Sequence, residues 1–196
     1  MEKFTDRFKY RPLSYSQLSS WEWDKEQWYD NYILGNRQPA TPAMVAGNKY
    51  GDMLGRANSP VEELKDIGIC EYKLTGNIDD IYMIGYVDGW MENELILHEN
   101  KTSDNPKRWS QKKVDEHKQI DMYLLLLFLQ EKIKPEDVTC YLNFIQLDRG
   151  GDMIYRLSDP LVWHQFPTKR TSVDLLRYAH YVKDTVADME KYVNDK

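Results

Sequence analysis

The middle of the chain alternates apolar and polar positions in the manner of β-strands. Two β-rich runs, 81–90 and 94–101, are separated by residues 91–93, a gap short enough for a hairpin connection. Side chains alternate between the two faces of a strand, so every second residue of the later run shares a face. That face carries Leu95, Leu97, Glu99 and Lys101. It therefore changes from apolar to charged at its end.

Helical periods flank this region on both sides. Apolar residues recur at helical spacing in 13–35, 41–57 and 110–132, and a last helix capped by Thr171 or Ser172 follows. The dipeptide Thr41-Pro42 is a typical helix start, with a capping hydroxyl before a proline in the first turn. In the last helix, the side that we expect to cover a sheet face carries Val173, Leu176, Val182, Val186, Met189 and Val193.

Further strands are predicted on both sides of the third helix. A short strand at 71–74 precedes the central hairpin, and a second hairpin joins 138–147 to 153–157. The order is helix, helix, three strands, helix, two strands, helix. This order predicts an α/β fold, with a mixed central β-sheet flanked by helices.

Length and composition favour one domain over residues 1–196. The chain is 41% hydrophobic, which is enough for a single sizeable core. Its apolar run at 124–129 is far too short to cross a bilayer, so we expect an intracellular, cytoplasmic protein with no membrane partner. Cys70 and Cys140 are isolated in the sequence, and we expect reduced thiols without a zinc or iron-sulfur site.

The charge pattern limits the kind of nucleic-acid binding to expect. A net charge of −6 disfavours a protein that coats nucleic acid, because phosphate contacts come mainly from Lys and Arg. A local basic groove remains compatible with this charge. The densest basic stretch, 101–113, directly follows the strand at 94–101.

Two acidic residues of the central hairpin are candidates for metal binding. Counting back through the turn places Asp88 within about two positions of Glu99 across the ladder. Charges on a partly buried strand are costly unless they are paired or bound to metal. The two carboxylates can hold one hard cation, with Lys101 beside it, and this arrangement suits phosphodiester hydrolysis.

The same residues carry a resemblance to a known family. Gly85-Tyr86-Val87-Asp88-Gly89, followed by His98-Glu99-Asn100-Lys101-Thr102-Ser103, resembles the D…E-x-K signature of the PD-(D/E)xK nuclease superfamily, in its RecB-like exonuclease branch. The resemblance implies a restriction-endonuclease-like core and a Mg²⁺ or Mn²⁺ cofactor. It also implies Asp88, Glu99 and the backbone carbonyl of Asn100 as metal ligands, and Lys101 as the residue that serves the attacking water.

A second motif lies in the third predicted helix. Gln119 and Tyr123 are four residues apart, so they lie one above the other on one face. They match the Q-x-x-x-Y motif that marks the RecB-like branch, which implies that they hold DNA. His117 should face elsewhere on this helix, at the surface.

The sequence departs from the family at two places. RecB-like nucleases often have G-x-x-x-H in the second helix, where the histidine is a metal ligand, but here Gly47 is followed by Gly51. The adjacent Asp52 is a candidate to substitute in part. Asp24 stands where many relatives have an iron-sulfur cysteine, so no cluster is expected. Gly47, Gly51 and Gly55 recur every fourth residue, which predicts a close neighbour, a strand or helix rather than DNA backbone.

The first predicted helix is rich in aromatic residues. Trp21, Trp28 and Tyr32 share helical spacing, which is compatible either with a stripe facing the core or with a platform for stacking unpaired bases. A platform for unpaired bases would favour a DNA substrate with a free end.

The motifs together predict a divalent-metal-dependent DNA exonuclease that starts at DNA ends, acting in phage recombination or DNA repair. An endonuclease or resolvase of the same fold, or a non-catalytic DNA-binding module, are the alternatives. The expected partner is DNA, single- or double-stranded, together with a homo-oligomer or a recombination partner protein. A phage-encoded protein acting in the host cell fits the same interpretation.

Overall fold

The computed structural model describes residues 3–151 and 153–196. The helices are α1 Arg7–Tyr10, α2 Tyr15–Trp23, α3 Lys25–Tyr32, α4 Pro42–Gly51, α5 Gln111–Asp115, α6 Lys118–Glu131 and α7 Ser172–Asn194. The strands are β1 Tyr72–Ile78, β2 Ile81–Val87, β3 Gly89–Met91, β4 Ile96–Ser103, β5 Thr139–Arg149, β6 Tyr155–Leu157 and β7 Trp163–Thr168. Short 3₁₀ turns at Phe4–Asp6, Glu62–Leu64 and Pro135–Asp137 complete the regular structure.

The central sheet has five strands of mixed direction. Its path runs β3-β4-β5-β6, and β7 also pairs with β5. Strands β4 and β5 are parallel, and the chain between them passes through α5 and α6, because parallel neighbours need a crossover connection. The predicted α/β fold with a mixed, helix-flanked sheet is confirmed.

The predicted hairpin of 81–90 with 94–101 forms only in its last part. Strand β2 pairs with β1 in a separate two-stranded antiparallel sheet, in which Tyr72 lies opposite Val87. The chain changes partner at Asp88, and β3 then pairs with β4, with Gly89 opposite His98. Strand β1 extends to Ile78 and is therefore longer than the predicted strand at 71–74.

Two predicted helices are each divided in the structure. Asp24 has extended backbone angles and caps α3 by accepting a hydrogen bond from the Gln27 amide at 3.0 Å, so 13–35 forms α2 and α3. A break at residues 116–117 separates α5 from α6. At Asp24, the capping side chain competes with continuation of the helix. The second helix is also shorter than expected, because α4 ends at Gly51.

The C-terminal third differs from the prediction in two respects. Strand β7 was not predicted, yet it pairs along β5 on the side opposite β4. Helix α7 is capped as expected by Thr171, in a capping box with Asp174. It packs against α6 and α2 rather than directly on a sheet face, and Val173 and Leu176 are exposed.

Helix α6 forms the centre of the main core. It packs against β1 and β2 on one side and α7 on the other, and residues 122–127 are all buried. The helix approaches β2 closely at Gly85, where an added Cβ would lie 2.9 Å from the Tyr123 ring. The close approach fixes the position of Tyr123.

The tryptophans of the N-terminal helices belong to this core. Trp21 and Trp28 are 4% and 1% exposed, and their rings meet edge to face at 4.9 Å. Trp21 also contacts Tyr192 of α7. The core interpretation is confirmed, and a base-stacking platform made of these two residues is wrong, because their ring faces are covered.

Within residues 3–151 and 153–196, no helix combines the length and apolar character needed to cross a membrane.

Candidate functional site

A cleft of about 490 Å³ opens beside the second half of β4. One wall is helix α4, which contributes Ala43, Met44 and Gly47. The rest of the lining is densely charged. Its charged side chains are Asp52, Arg56, Glu71, Asp88, Glu99 and Lys101.

Asp88 occupies the point where the chain leaves one sheet for the other. Its Oδ2 accepts a hydrogen bond from the Asn100 backbone amide at 2.6 Å, so the carboxylate is held against β4. Burial raises the pKa of Asp88 well above its usual range, and the neighbouring Glu99 raises it further. The fold therefore keeps two acidic groups close together at an energetic cost.

Glu99 is 1% exposed and carries an unsatisfied oxygen. Its Oε1 forms an ion pair with Lys101, whereas Oε2 is buried without a hydrogen-bond partner. Burial raises the pKa of Glu99, and Lys101 opposes this effect. A buried carboxylate oxygen without a donor is costly, which makes it a ready ligand for a cation.

Lys101 follows Glu99 on the same strand face, as the alternation predicted. Its Nζ donates to Oε1 of Gln119 at 2.9 Å in addition to the ion pair with Glu99. Burial lowers the pKa of Lys101, but the charge and hydrogen bond of Glu99, together with the charge of Asp88, outweigh burial and the pKa is raised. The ammonium is thus charged and fixed from two sides.

The Gln119 and Tyr123 pair lies next to this lysine. Gln119 lines the cleft, and its Nε2 donates to the Tyr123 hydroxyl at 2.6 Å. Tyr123 is 5% exposed and stands behind Gln119, and burial raises its pKa. The structure therefore joins Glu99, Lys101, Gln119 and Tyr123 into one hydrogen-bonded row.

The glycines of α4 differ in their surroundings. An added Cβ at Gly47 would lie 3.4 Å from Oγ1 of Thr102 on β4, so the predicted neighbouring strand is confirmed there. At Gly51 no atom lies within 4 Å of the added Cβ. Gly55 lies beyond the end of α4, so it does not share a helix face with Gly47 and Gly51. Asp52 follows the helix and is exposed at the cleft.

Glu71 and Arg56 are cleft residues that the sequence analysis missed. The register of β1 and β2 places Glu71 one position beyond the pair of Tyr72 and Val87, next to Asp88. Burial raises the pKa of Glu71, and the charge of Asp88 adds to this effect. The two-residue connection between β1 and β2 was the signal for this proximity. Nothing in the local sequence pattern marks Arg56.

The basic stretch that was expected to form a groove contributes little to the cleft. Of the basic residues in 101–113, only Lys101 lines it. Lys107, Arg108, Lys112 and Lys113 are exposed elsewhere. Besides Lys101, the positively charged side chain that lines the cleft is Arg56.

The other face of β4 carries a buried polar network. Asn143 of β5 is fully buried, and its Nδ2 donates to Oδ1 of Asn100 at 2.8 Å and lies 3.3 Å from Nδ1 of His98. His98 faces away from the cleft, in agreement with the strand alternation. His117 was expected at the surface but is half-buried, since it packs between Tyr15 and Trp109.

The donor set of the cleft suits a hard divalent cation. Within the described residues, no group of three or more His, Cys, Asp and Glu side chains is arranged to hold a metal ion. Asp88 and Glu99 nevertheless offer adjacent carboxylates, one with an unpartnered oxygen, and Asn100 also lines the cleft. Mg²⁺ retains several waters and needs only one or two protein carboxylates, so this pair fits Mg²⁺ or Mn²⁺.

Comparisons with known proteins relate this chain to nucleases through the fold alone. No protein-family model matches the sequence, and no curated protein matches it closely. Among solved structures, a phage-related exonuclease from Haemophilus somnus 129PT has a TM-score of 0.55 at 11% identity, covering 85% of this chain and 78% of its own. A putative exonuclease from Eubacterium rectale has a TM-score of 0.57 at 9% identity, covering 95% and 84%.

A third similar structure is LHK-Exo, an alkaline exonuclease from Laribacter hongkongensis, solved in complex with dAMP. Its TM-score is 0.54 at 14% identity, and the match covers 97% of this chain and 93% of LHK-Exo. The chain shares the fold of these exonuclease structures. The predicted nuclease-like architecture is confirmed, and the assignment to the RecB-like branch stays a prediction.

Proposed function

We propose that this protein is a divalent-metal-dependent deoxyribonuclease that hydrolyses phosphodiester bonds. The observation that carries the proposal is the pair of adjacent carboxylates, half-buried Asp88 and buried Glu99, with the fixed ammonium of Lys101 beside them. A structural salt bridge alone does not account for the pair, because one lysine leaves two carboxylates and an unpartnered oxygen in the same place.

Asp88, Glu99 and the carbonyl of Asn100 are the residues that would hold Mg²⁺ or Mn²⁺, and Asp52, which lines the same cleft, would bind an outer water. The bound ion supplies Lewis acidity and a water of lowered pKa. Lys101 is held so that its ammonium can orient the attacking water and stabilise the negative charge that develops on the phosphoryl group. Gln119 and Tyr123 would hold the DNA, and Gln119, which lines the cleft, would donate a hydrogen bond to a phosphate oxygen.

We further propose that digestion starts at DNA ends, in a phage recombination or DNA-repair setting. The support is the fold, which is shared with three structures that carry the name exonuclease. LHK-Exo also binds a deoxynucleotide, dAMP. The volume of the cleft, about 490 Å³, is compatible with part of a single strand. A homo-oligomer or a recombination partner protein remains part of this proposal.

The decisive experiment incubates the protein with linear, end-labelled DNA and with covalently closed circles of the same sequence, in Mg²⁺ or Mn²⁺. We expect the linear molecules to be degraded and both single-stranded and duplex circles to survive. The variants Asp88→Asn and Glu99→Gln should be inactive on every substrate, because each removes a charged metal ligand.

Each other outcome has a definite meaning. Circles cut as fast as linear DNA would replace the exonuclease proposal with an endonuclease or resolvase that uses the same metal site. DNA binding without cleavage in either metal would favour the non-catalytic module. Full activity of Glu99→Gln at saturating Mn²⁺ would reject the metal site itself.

A further inference from the structure

Three arginines near the N-terminus lie close together without a carboxylate partner. Arg7 lies over the ring of Phe4, with Cζ 4.5 Å from the ring centroid, and Arg11 lies over Tyr32 at 4.7 Å. Across residues 3–151 and 153–196, neither of them nor Arg37 forms a salt bridge. We call Arg7, Arg11 and Arg37 the arginine cluster.

The positive charges of the arginine cluster act on one another. Burial lowers the pKa of Arg11, and the charge of Arg37 lowers it further. Burial also lowers the pKa of Arg7, and the charge of Arg11 lowers it further. Nη1 of Arg11 donates to the Tyr32 carbonyl at 3.3 Å, whereas Nη2 is buried and has no partner among the described residues. Like charges held together without a counter-charge are destabilising, which points to an external anion.

The arginine cluster lines two adjoining grooves, one of which extends to a wall of the candidate cleft. Arg11 and Tyr32 line both grooves. The first groove has a volume of about 430 Å³ and is also lined by Arg7. The second has a volume of about 640 Å³ and is also lined by Arg37. The second groove reaches Met44 on α4, and Met44 also lines the candidate cleft. A positively charged surface therefore connects with the site of the two carboxylates.

We propose that the arginine cluster binds backbone phosphates of the DNA strand that leads into the cleft. This inference rests on the proposed nuclease function. Guanidinium groups form paired hydrogen bonds with phosphate oxygens, and they stay charged at any working pH. The net charge of −6 repels DNA from most of the surface, so a strand needs a local positively charged route to reach the carboxylates.

Binding at several salt concentrations tests the proposal. A fluorescent single-stranded oligonucleotide is titrated with the Glu99→Gln protein, which is not expected to cleave it, between 50 and 200 mM NaCl. Each lost phosphate contact should reduce the slope of log K against log salt by about 0.7. We expect this reduction for Arg7→Gln, Arg11→Gln and Arg37→Gln, each added to the Glu99→Gln background.

Arg177→Gln is the matched control, since Arg177 is 77% exposed on α7 and pairs with Asp174 away from the grooves. Its slope should equal that of the parent. Arg37 is exposed, so Arg37→Gln tests the proposal even if loss of Arg11, whose Nη2 is buried, prevents folding. Thermal unfolding confirms that each variant is folded.

The outcomes separate this inference from the function on which it rests. If the parent binds DNA and the arginine variants keep its slope and affinity, the arginine cluster is not a phosphate site, while the proposed function stands. If the Glu99→Gln parent does not bind DNA and the unsubstituted protein does not cleave it, both proposals are rejected. Reduced slopes in the arginine variants, with an unchanged slope in Arg177→Gln, support the inference.

Discussion

Lys101 is the residue whose environment is most completely determined by its neighbours. Glu99 keeps its ammonium charged, and Gln119 fixes its direction towards the cleft. An ammonium held in this way stabilises the negative charge that develops in the transition state, because it needs no reorganisation during the reaction.

We therefore expect Lys101→Met to reduce turnover by about 10²–10³-fold, with DNA binding changed much less. Single-turnover cleavage and oligonucleotide binding measure the two effects separately. Lys73→Met is the control, because Lys73 is exposed on β1 and does not line the cleft. If turnover barely changes while affinity for Mn²⁺ collapses, the lysine has a structural role.

His98 connects the polar network behind β4 to the stability of the protein. Burial lowers the pKa of His98 to about 4, below the value of about 6.5 in an unfolded chain. As the pH falls below 6.5, the unfolded chain therefore binds a proton that the folded protein excludes. The stabilising contribution is present above pH 6.5 and is lost as the pH falls towards 4.

Between pH 7 and pH 5 this loss amounts to about 2 kcal/mol of unfolding free energy, at ~1.4 kcal/mol per pKa unit. Urea unfolding at both pH values should show a smaller difference for His98→Gln than for the parent. His180→Gln, at an exposed position of α7, should behave like the parent. Equal pH dependence in His98→Gln and the parent would show that this histidine is not the group responsible.

At the scale of elements, the segment after α4 determines one side of the cleft. Gly55 has φ +74°, and an added Cβ would lie 2.5 Å from Ile67 and 2.8 Å from Sγ of Cys70. The Gly55 amide also donates to the Leu64 carbonyl at 2.6 Å. This close packing fixes the loop that presents Arg56 to the cleft.

Gly55→Ala should destabilise the protein by about 1–3 kcal/mol, because both the backbone angle and the contact disfavour a Cβ. Gly51→Ala is a matched comparison, since no atom lies within 4 Å of its added Cβ and alanine has a higher helix propensity than glycine. It should leave stability unchanged or raise it slightly. Equal effects of the two substitutions, measured by chemical unfolding, would contradict the packing described here.

At the scale of the whole molecule, the candidate metal site joins both sheets. Asp88 lies at the transition from β2 to β3, and Glu99 belongs to β4 in the central sheet. A cation bound by both would stabilise the folded state, because the unfolded chain does not bring the two carboxylates together. It would also relieve the repulsion between them.

Mn²⁺ at 100 times its dissociation constant should stabilise the fold by about 2.7 kcal/mol, which raises Tm by about 5–10 °C for a chain of this size. Thermal scans with Mn²⁺ and with EDTA measure the shift. Glu99→Gln should lose most of it. A shift of the same size in this variant would place the stabilising ion elsewhere on the protein.

Local sequence pattern was sufficient for much of the site. Strand alternation placed Glu99 and Lys101 on one face, and helical spacing placed Gln119 beside Tyr123. The order of elements gave the mixed α/β fold. These inferences hold because side-chain direction follows directly from the backbone period of each element.

Only the tertiary structure decided which surfaces meet. The pairing of β1 with β2 brings Glu71 to Asp88, and the loop after Gly55 brings Arg56 to the same cleft. Packing of α2, α3 and α7 buries Trp21, which spacing alone left open to two interpretations. A period specifies the direction of a side chain but not the partner that covers it, because that partner comes from a distant part of the chain.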